Sequence, residues 1–150
     1  MLFDLIIERC THENPLPIFI GASPGTGKSY LLNTIISHLR SEEKIVLACA
    51  STSSASLLLS SGKTLHAQFK VPINIHDDSM CLIRRGSQLA RLIAATTLVI
   101  IDESTMLHRH IVEALDRSLR DIMSQPSFIF GGIAVVLSGY YIPPFFFQIQ

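Results

Sequence analysis

Residues 22–29 combine glycine, lysine and serine at a spacing that is typical of a loop that binds phosphate. They lie between an apolar run and a helix-like pattern and read Ala22-Ser23-Pro24-Gly25-Thr26-Gly27-Lys28-Ser29. Gly25 and Gly27 allow a bend in which successive backbone N–H groups point at one oxyanion, and the following helix adds a positive field. Lys28 is expected to reach the terminal phosphates of a nucleotide, and Ser29 to offer its hydroxyl to Mg²⁺. The alternative is a glycine-rich turn that binds nothing.

Two carboxylates, Asp102 and Glu103, follow directly on the apolar run 98–101, which we predict to be a strand. In a parallel sheet, ligands gather at the carboxyl ends of the strands, so this pair should approach the phosphate loop. Asp102 is expected to hold Mg²⁺ through water, and Glu103 to polarise the attacking water as a general base. We therefore take Glu103 and Lys28 as the candidate catalytic residues. The alternative for Asp102 is a helix cap.

The elements that must position these residues alternate along the chain. Helices are predicted at residues 2–9, 28–39, 54–59, 88–93 and 106–123, and strands at 18–20, 45–48, 98–101 and 133–137. The strand candidates are continuous apolar runs, which are typical of strands that are buried on both faces. The pattern therefore predicts one α/β domain, a parallel sheet with helices on both faces.

The composition excludes several classes of protein. The chain has 150 residues, with 12 Lys and Arg against 12 Asp and Glu, so it is not a uniformly basic nucleic-acid coat. Cys10, Cys49 and Cys81 are too sparse for a disulfide framework or a zinc cluster, which favours a reducing compartment. The first residues carry acids and no basic lead, unlike a secretory signal. The longest apolar run, 128–137, has about ten residues where a membrane helix needs about 20, so no membrane partner is expected.

Several longer stretches match one protein family well beyond the phosphate loop. They are Gly25–Ser29, Lys44–Ala48, Gly62–Pro72, Asp102–Met106, His108–His110, Ala114–Met123 and Phe130–Gly132. From residue 18 to about 139, the chain resembles the Pif family (petite integration frequency) of ATP-dependent DNA helicases. This is a superfamily-one, RecD-like group, and the resemblance is strongest to its Helitron-associated branch. The resemblance implies an incomplete RecA-like P-loop NTPase fold, ATP and Mg²⁺ as cofactors, and single-stranded DNA as a partner.

The resemblance also implies DNA contacts outside the nucleotide site. Ser51 and Thr52 match a motif that contacts DNA phosphates, and Thr64, His66 and Phe69 match a second DNA-facing motif. The ring of Phe69 is expected to stack on a base, a contact worth roughly 1–3 kcal/mol. Two alternatives stay open: Thr52 belongs to a Ser/Thr turn that caps a helix, and Phe69 belongs to the core.

The chain departs from the family pattern near its end. The family carries Gly-Asp-Phe-Arg-Gln after the last strand, whereas this chain reads Ser138-Gly139-Tyr140-Tyr141-Ile142-Pro143. We predict a lead-in at residues 1–17, the first RecA-like domain at 18–139, and a divergent tail at 140–150 whose phenylalanines promote aggregation or need a partner. The second RecA-like domain is expected to be absent, and so is the glutamine that reads adenine before the phosphate loop.

The function that the resemblance implies is an ATP-dependent DNA helicase, in which hydrolysis drives movement along single-stranded DNA and unwinding. It further implies roles in DNA repair, recombination and telomere maintenance, and an intracellular location in the nucleus, with mitochondria as the alternative. This chain is expected to be weak or inactive alone, and a second RecA-like domain or a partner chain would complete it. The alternatives are a nucleotide- or DNA-binding remnant without turnover, and another P-loop class such as an AAA+ ATPase. Gly62–Pro72 and Leu115–Met123 argue against the AAA+ class.

Overall fold

Parallel strands form one sheet in the computed structural model, which describes residues 1–23 and 25–148. The strands of this described part are β1 (Ile18–Gly21), β2 (Ile45–Ala50), β3 (Lys63–Thr64), β4 (Thr96–Asp102) and β5 (Ala134–Gly139). Across the sheet they lie in the order β1-β5-β4-β2-β3, and every neighbouring pair is parallel. All the strands therefore end on the same side, which we call the carboxyl edge.

Helices cover both faces of this sheet, as the sequence predicts. They are α1 (Leu2–Arg9), α2 (Lys28–Ser41), α3 (Ser53–Ser56), α4 (Leu65–Phe69), α5 (Gln88–Ala94) and α6 (Arg109–Met123). Short 3₁₀ turns lie at Ser104–Met106, Ile129–Gly132 and Pro144–Gln148. The predicted α/β class with a parallel sheet is therefore confirmed.

Successive strand residues point to opposite faces and so build two cores. On one face, α1 and α2 pack on the sheet through Ile6, Leu32, Ile35, Ile36, Leu39, Val46, Ala48, Leu98, Ile100, Ala134 and Val136. On the other face, α4, α5 and α6 pack on it through Leu65, Phe69, Ile93, Val112, Leu115, Leu119, Leu47, Cys49, Val99, Ile101, Val135 and Leu137. The central strands are buried on both sides, which explains why their sequences are uninterrupted apolar runs.

Four elements differ from the sequence prediction. Helix α3 ends at Ser56 and not at the predicted residue 59. The two-residue strand β3 and the five-residue helix α4 were not predicted, because neither is long enough to show a periodic pattern. The long helix α6 begins at Arg109 instead of Met106, because His108 is its N-cap and accepts a hydrogen bond from the backbone N–H of His110 through Nδ1 (3.1 Å). Met106 lies in the preceding 3₁₀ turn and is exposed.

The segment after β5 folds back onto the sheet. Phe145 and Phe146 are buried in the core beneath α6, and the ring of Phe146 meets that of Phe19 edge to face, with 5.7 Å between centroids. The expectation of an exposed phenylalanine tail is therefore wrong for these two residues. Burial of their apolar surface holds the segment against the domain. Residues 149 and 150 of the predicted tail lie outside the described residues.

In the described part of the chain, no helix combines the length and the apolar character that crossing a bilayer requires.

Candidate nucleotide site

The carboxyl edge brings the phosphate loop and the acidic pair together. Strand β5 lies between β1 and β4, with Gly21 opposite Gly139 and Ile101 opposite Leu137. The loop begins with a hydrogen bond from the backbone N–H of Ala22 to the carbonyl of Gly139 (3.0 Å). The parallel register therefore fixes the distance between the two motifs, although they are far apart in sequence.

The phosphate loop has the backbone conformation that its glycines predict. Gly25 and Gly27 have φ values of 80° and 85°, a left-handed region in which a side chain is strained. Gly27 is the N-cap residue of α2, and Thr26 steadies the turn by donating its hydroxyl to the carbonyl of Ser23 (2.7 Å). Ser29 is half-buried in the first turn of α2. Pro24, also a predicted phosphate-loop residue, lies outside the described residues.

Lys28 lies between the two predicted carboxylates. Its Nζ donates to Oδ1 of Asp102 at 2.6 Å and to Oε1 of Glu103 at 3.0 Å. The side chains of Lys28 and Asp102 are only 12% and 2% exposed, whereas that of Glu103 is 39% exposed. Burial alone lowers the pKa of Lys28, but hydrogen bonds and charge from both carboxylates outweigh it, so the pKa is raised. Lys28 therefore remains a cation at neutral pH.

Asp102 is oriented through one of its two oxygens. Oδ1 accepts hydrogen bonds from Lys28, from the hydroxyl of Ser138 (2.6 Å) and from the backbone N–H of Glu103 (2.9 Å). Its side chain does not cap the 3₁₀ turn Ser104–Met106 that follows, whose N-cap residue is Glu103 and which has no side-chain cap. The helix-cap alternative for Asp102 is therefore not what the structure shows.

A cavity of about 360 Å³ opens beside these groups. It is lined by Ala22, Ser23, Gly25, Gly27, Lys28, Ser29, Tyr30, Ala55, Leu58, Asp102, Glu103 and Tyr140. The lining combines charged and polar side chains (Lys28, Ser29, Asp102 and Glu103) with aromatic and apolar ones (Tyr30, Ala55, Leu58 and Tyr140). Concave sites of this mixed character are typical of small-molecule binding.

The residues of this cavity fit Mg²⁺, a cation that takes oxygen ligands. Asp102 and Ser29 both line it and offer a carboxylate and a hydroxyl. Among the described residues, the hydrogen bonds to Asp102 all reach Oδ1, which leaves Oδ2 for water or a cation. The donor set is therefore of the kind that Mg²⁺ selects.

The predicted DNA-facing residues lie elsewhere at this edge, and none of them lines the cavity. The hydroxyls of Thr52 and Thr64 cap α3 and α4 by accepting from the N–H groups of Ala55 (3.2 Å) and Ala67 (3.1 Å). The cap that was weighed for Thr52 is therefore present. His66 is half-buried, and Oγ of Ser51 is buried with no hydrogen-bond partner among the described residues.

Phe69 is the last residue of α4, and its side chain is fully buried in the core. The prediction that its ring stacks on a base is wrong for this structure, because a side chain with no exposed surface cannot offer a ring face. The alternative of a core phenylalanine is the one observed. Its burial depends on strands β2 and β4, which lie far away in the sequence.

Sequence reasoning missed two residues that belong to the site. Ser138 reaches Asp102, and Tyr140 lines the cavity wall. Both follow the apolar residues of β5, and a polar residue at the carboxyl end of a strand was the signal that could have found them.

Comparisons with known proteins agree on one family. The family model described as "PIF1-like helicase" matches residues 1–149. The helicase PIF4 of Trypanosoma brucei is 34% identical over 128 residues, which cover 82% of this chain and 16% of the relative. The helicase RRM3 of Saccharomyces cerevisiae is 33% identical, with coverage of 94% and 19%.

Solved structures show the same likeness. Pif1 of Candida albicans superposes with a TM-score of 0.76 at 29% identity, over 95% of this chain and 32% of that one. Bacteroides Pif1, solved in complex with ADP-AlF3 and ssDNA, gives a TM-score of 0.73 at 27% identity, with coverage of 95% and 33%. The chain thus spans about a sixth to a quarter of the first curated relatives and a third of these structures.

Proposed function

The chain belongs to the PIF1-like helicase family, and on this premise we propose that it binds ATP with Mg²⁺ and hydrolyses ATP in response to single-stranded DNA. One observation carries the proposal: Lys28, at the start of the helix that follows a glycine-rich loop, is bonded to two consecutive carboxylates at the end of β4. A cation and two acids held together beside a cavity are the groups that transfer of a phosphoryl group to water requires.

Each group has one task in this proposal. The backbone N–H groups of the described loop residues and the N-terminus of α2 bind the phosphates. Lys28 leaves the carboxylates and donates Nζ to the terminal phosphates. Ser29 and Asp102 hold Mg²⁺, which when bound neutralises the charge on the phosphate oxygens. Glu103, the more exposed carboxylate, accepts the proton of the attacking water.

Single-stranded DNA is proposed to run past Ser51, Thr52, Thr64 and His66. Ser51 and Thr52 directly follow β2, which pairs with β4, whereas Thr64 ends β3 and His66 lies in α4. The backbone N–H of Ser51 donates to the carbonyl of Asp102 (3.1 Å). A DNA contact at Ser51 would therefore be separated from Asp102 by one backbone hydrogen bond. Phe69 takes no part, because it is buried.

Roles in DNA repair, recombination and telomere maintenance, a nuclear or mitochondrial location, and membership of the Helitron-associated branch are proposals that the family suggests. Within the relatives' length, we assign residues 18–139 to the first RecA-like domain. Unwinding requires two such domains that close on ATP, so we expect this chain to show at most weak activity alone. A second domain or a partner chain would supply the rest.

A binding module without turnover is the second candidate, and Tyr140 favours it. Tyr140 lines the cavity at the position where the family pattern has an aspartate. A tyrosine side chain lacks the carboxylate with which the family pattern couples the terminal phosphate to DNA. Hydrolysis assays on this chain separate the two candidates.

The test is a titration of a fluorescent ATP analogue with Mg²⁺ against the wild-type chain and its Lys28→Ala variant. We expect the variant to bind roughly 10–100-fold more weakly, since hydrogen bonds to charged groups contribute roughly 1.5–3 kcal/mol. Lys44→Ala is the matched control, because Lys44 pairs with Glu42 on the surface and lies outside the cavity. Equal binding by Lys28→Ala and the wild type would overturn the proposed site. If Lys28→Ala does bind more weakly, hydrolysis by the wild type that single-stranded DNA stimulates would favour the enzyme over the binding module.

A further inference from the structure

The hydroxyl of Ser138 is the feature of the site that neither the motifs nor the comparisons assign. Ser138 is fully buried on β5, and its Oγ donates to Oδ1 of Asp102 at 2.6 Å. Asp102 itself is 1% exposed. A short hydrogen bond from a hydroxyl to a buried carboxylate is charge-assisted, and such bonds are stronger than those between two neutral groups.

The contacts to Oδ1 differ in how firmly they are held. Ser138 belongs to β5 and the backbone N–H of Glu103 directly follows β4, whereas Lys28 contributes the end of a long side chain. In the proposed function, Lys28 moves to the phosphates. Among the described residues, Ser138 and the N–H of Glu103 are then left to fix the rotation of the carboxylate, and with it the direction of Oδ2.

The position of Ser138 is itself well defined. Strand β5 pairs with β1 on one side and with β4 on the other, so Ser138 cannot shift along the sheet. The hydroxyl of Ser104 donates to the carbonyl of Ser138 (3.1 Å). Gly139 packs so closely on Thr105 that a Cβ at position 139 would lie 2.9 Å from Cγ2 of Thr105. The donor is therefore pre-organised toward Asp102.

We propose that Ser138 is a positioning residue that holds the carboxylate of Asp102 in the orientation that binds Mg²⁺. The inference rests on the proposed function, because it concerns the cation of that same site. Groups that orient a metal ligand without touching the metal typically contribute a factor of roughly 10–100 in metal affinity. Ser138 therefore determines how much Mg²⁺ the site needs, while phosphate binding by the loop and Lys28 does not depend on it.

The experiment compares Ser138→Ala with Ser118→Ala. Both variants remove one buried hydroxyl, but that of Ser138 donates to the carboxylate of Asp102, whereas that of Ser118 donates to the carbonyl of Ala114 in α6 and lies outside the cavity. Binding of the fluorescent ATP analogue is measured in EDTA and then during a Mg²⁺ titration, with no hydrolysis in the readout. For Ser138→Ala, we expect the half-maximal Mg²⁺ concentration to rise roughly 10–100-fold and binding in EDTA to stay at the wild-type level. Ser118→Ala should match the wild type in both measurements.

A third variant protects the test against misfolding. Ser138→Cys keeps the shape of the side chain but is a weaker donor, so its Mg²⁺ requirement should fall between those of the wild type and Ser138→Ala. Circular dichroism and thermal unfolding verify that each variant is folded. If Ser138→Ala is unfolded, the cysteine variant alone decides, and a Mg²⁺ requirement equal to the wild type's overturns the inference.

The outcomes separate this inference from the proposed function. A wild-type chain that does not bind the nucleotide overturns both. A wild-type chain whose binding depends on Mg²⁺, together with a Ser138→Ala variant that behaves like Ser118→Ala, overturns only the role of Ser138. A loss of binding by Ser138→Ala in EDTA as well as in Mg²⁺ also overturns it, because the hydroxyl would then support the whole site and not the cation.

Discussion

Three hydrogen bonds converge on Oδ1 of Asp102. Its carboxylate has one cationic partner before the nucleotide binds and a different one in the proposed complex. In the structure described here it neutralises Lys28, and in the proposed complex it turns to Mg²⁺. Separating Lys28 from two carboxylates of opposite charge would be costly unless phosphate oxygens replaced them, so the carboxylates and the nucleotide compete for the same cation. The charge of Lys28 is therefore compensated by carboxylates before the nucleotide binds.

Glu103 differs from Asp102 in exposure, and this difference separates their roles. We expect Glu103→Gln to keep nucleotide binding or tighten it slightly, because Lys28 loses one competing acceptor. Hydrolysis stimulated by single-stranded DNA should fall roughly 10²–10⁴-fold, the usual contribution of a general base. Phosphate release is the measurement, with the exposed Glu13→Gln as control. A variant that still hydrolyses at the wild-type rate would remove Glu103 from the mechanism.

Among the elements, β5 has the largest influence on the site. It separates β1 from β4, accepts the first hydrogen bond of the phosphate loop, and supplies Ser138. The segment that follows it packs into the core beneath α6. The strand and its continuation therefore hold both the site and one face of the sheet.

This packing predicts that the phenylalanines after β5 stabilise the domain. Phe146→Ala should lower the free energy of unfolding by about 3 kcal/mol, the lower end of the range for buried Phe-to-Ala changes. Tyr141→Ala, at a side chain that is 58% exposed, should change it by less than about 0.5 kcal/mol. Denaturant unfolding of both variants is the measurement. Equal midpoints would mean that Phe146 does not pack on Phe19 in solution.

Sequence patterns predicted the elements that are long or chemically marked. The strands β1, β2, β4 and β5 and the helices α1, α2, α5 and α6 follow from apolar runs and helical spacing. The meeting of Lys28 with Asp102 and Glu103 follows from the parallel sheet, because both motifs sit at strand ends. Local pattern is sufficient for these features.

Features that depend on distant contacts were not predictable in the same way. The burial of Phe69 and of Phe145 depends on which strands and helices pack against them. A short window of sequence does not contain that information. The bond from Ser138 joins residues 36 positions apart, and serine at a strand end has no unique meaning. Strand order, which sequence alone left open, was needed to place it next to Asp102.

At the scale of the whole molecule, the nucleotide cavity joins parts of the sheet that are otherwise separate. Its lining comes from the loop after β1, the first turn of α2, the ends of β4 and β5, and α3. A ligand that contacts all of these parts stabilises the folded domain as a whole and not a single element. The reason is that the unfolded chain has no such site.

Nucleotide binding should therefore raise the unfolding temperature of the entire domain. At a ligand concentration 100 times the dissociation constant, the gain is about 2.7 kcal/mol, which for a domain of this size corresponds to about 5–10 °C. Differential scanning calorimetry with and without ADP and Mg²⁺ measures it, and one cooperative transition should shift as a unit. Lys28→Ala should lose most of the shift, whereas Lys44→Ala should keep it, since only Lys28 lines the cavity. An equal shift in both variants would place nucleotide binding outside the phosphate loop, and a transition that splits would show that the site stabilises only part of the sheet.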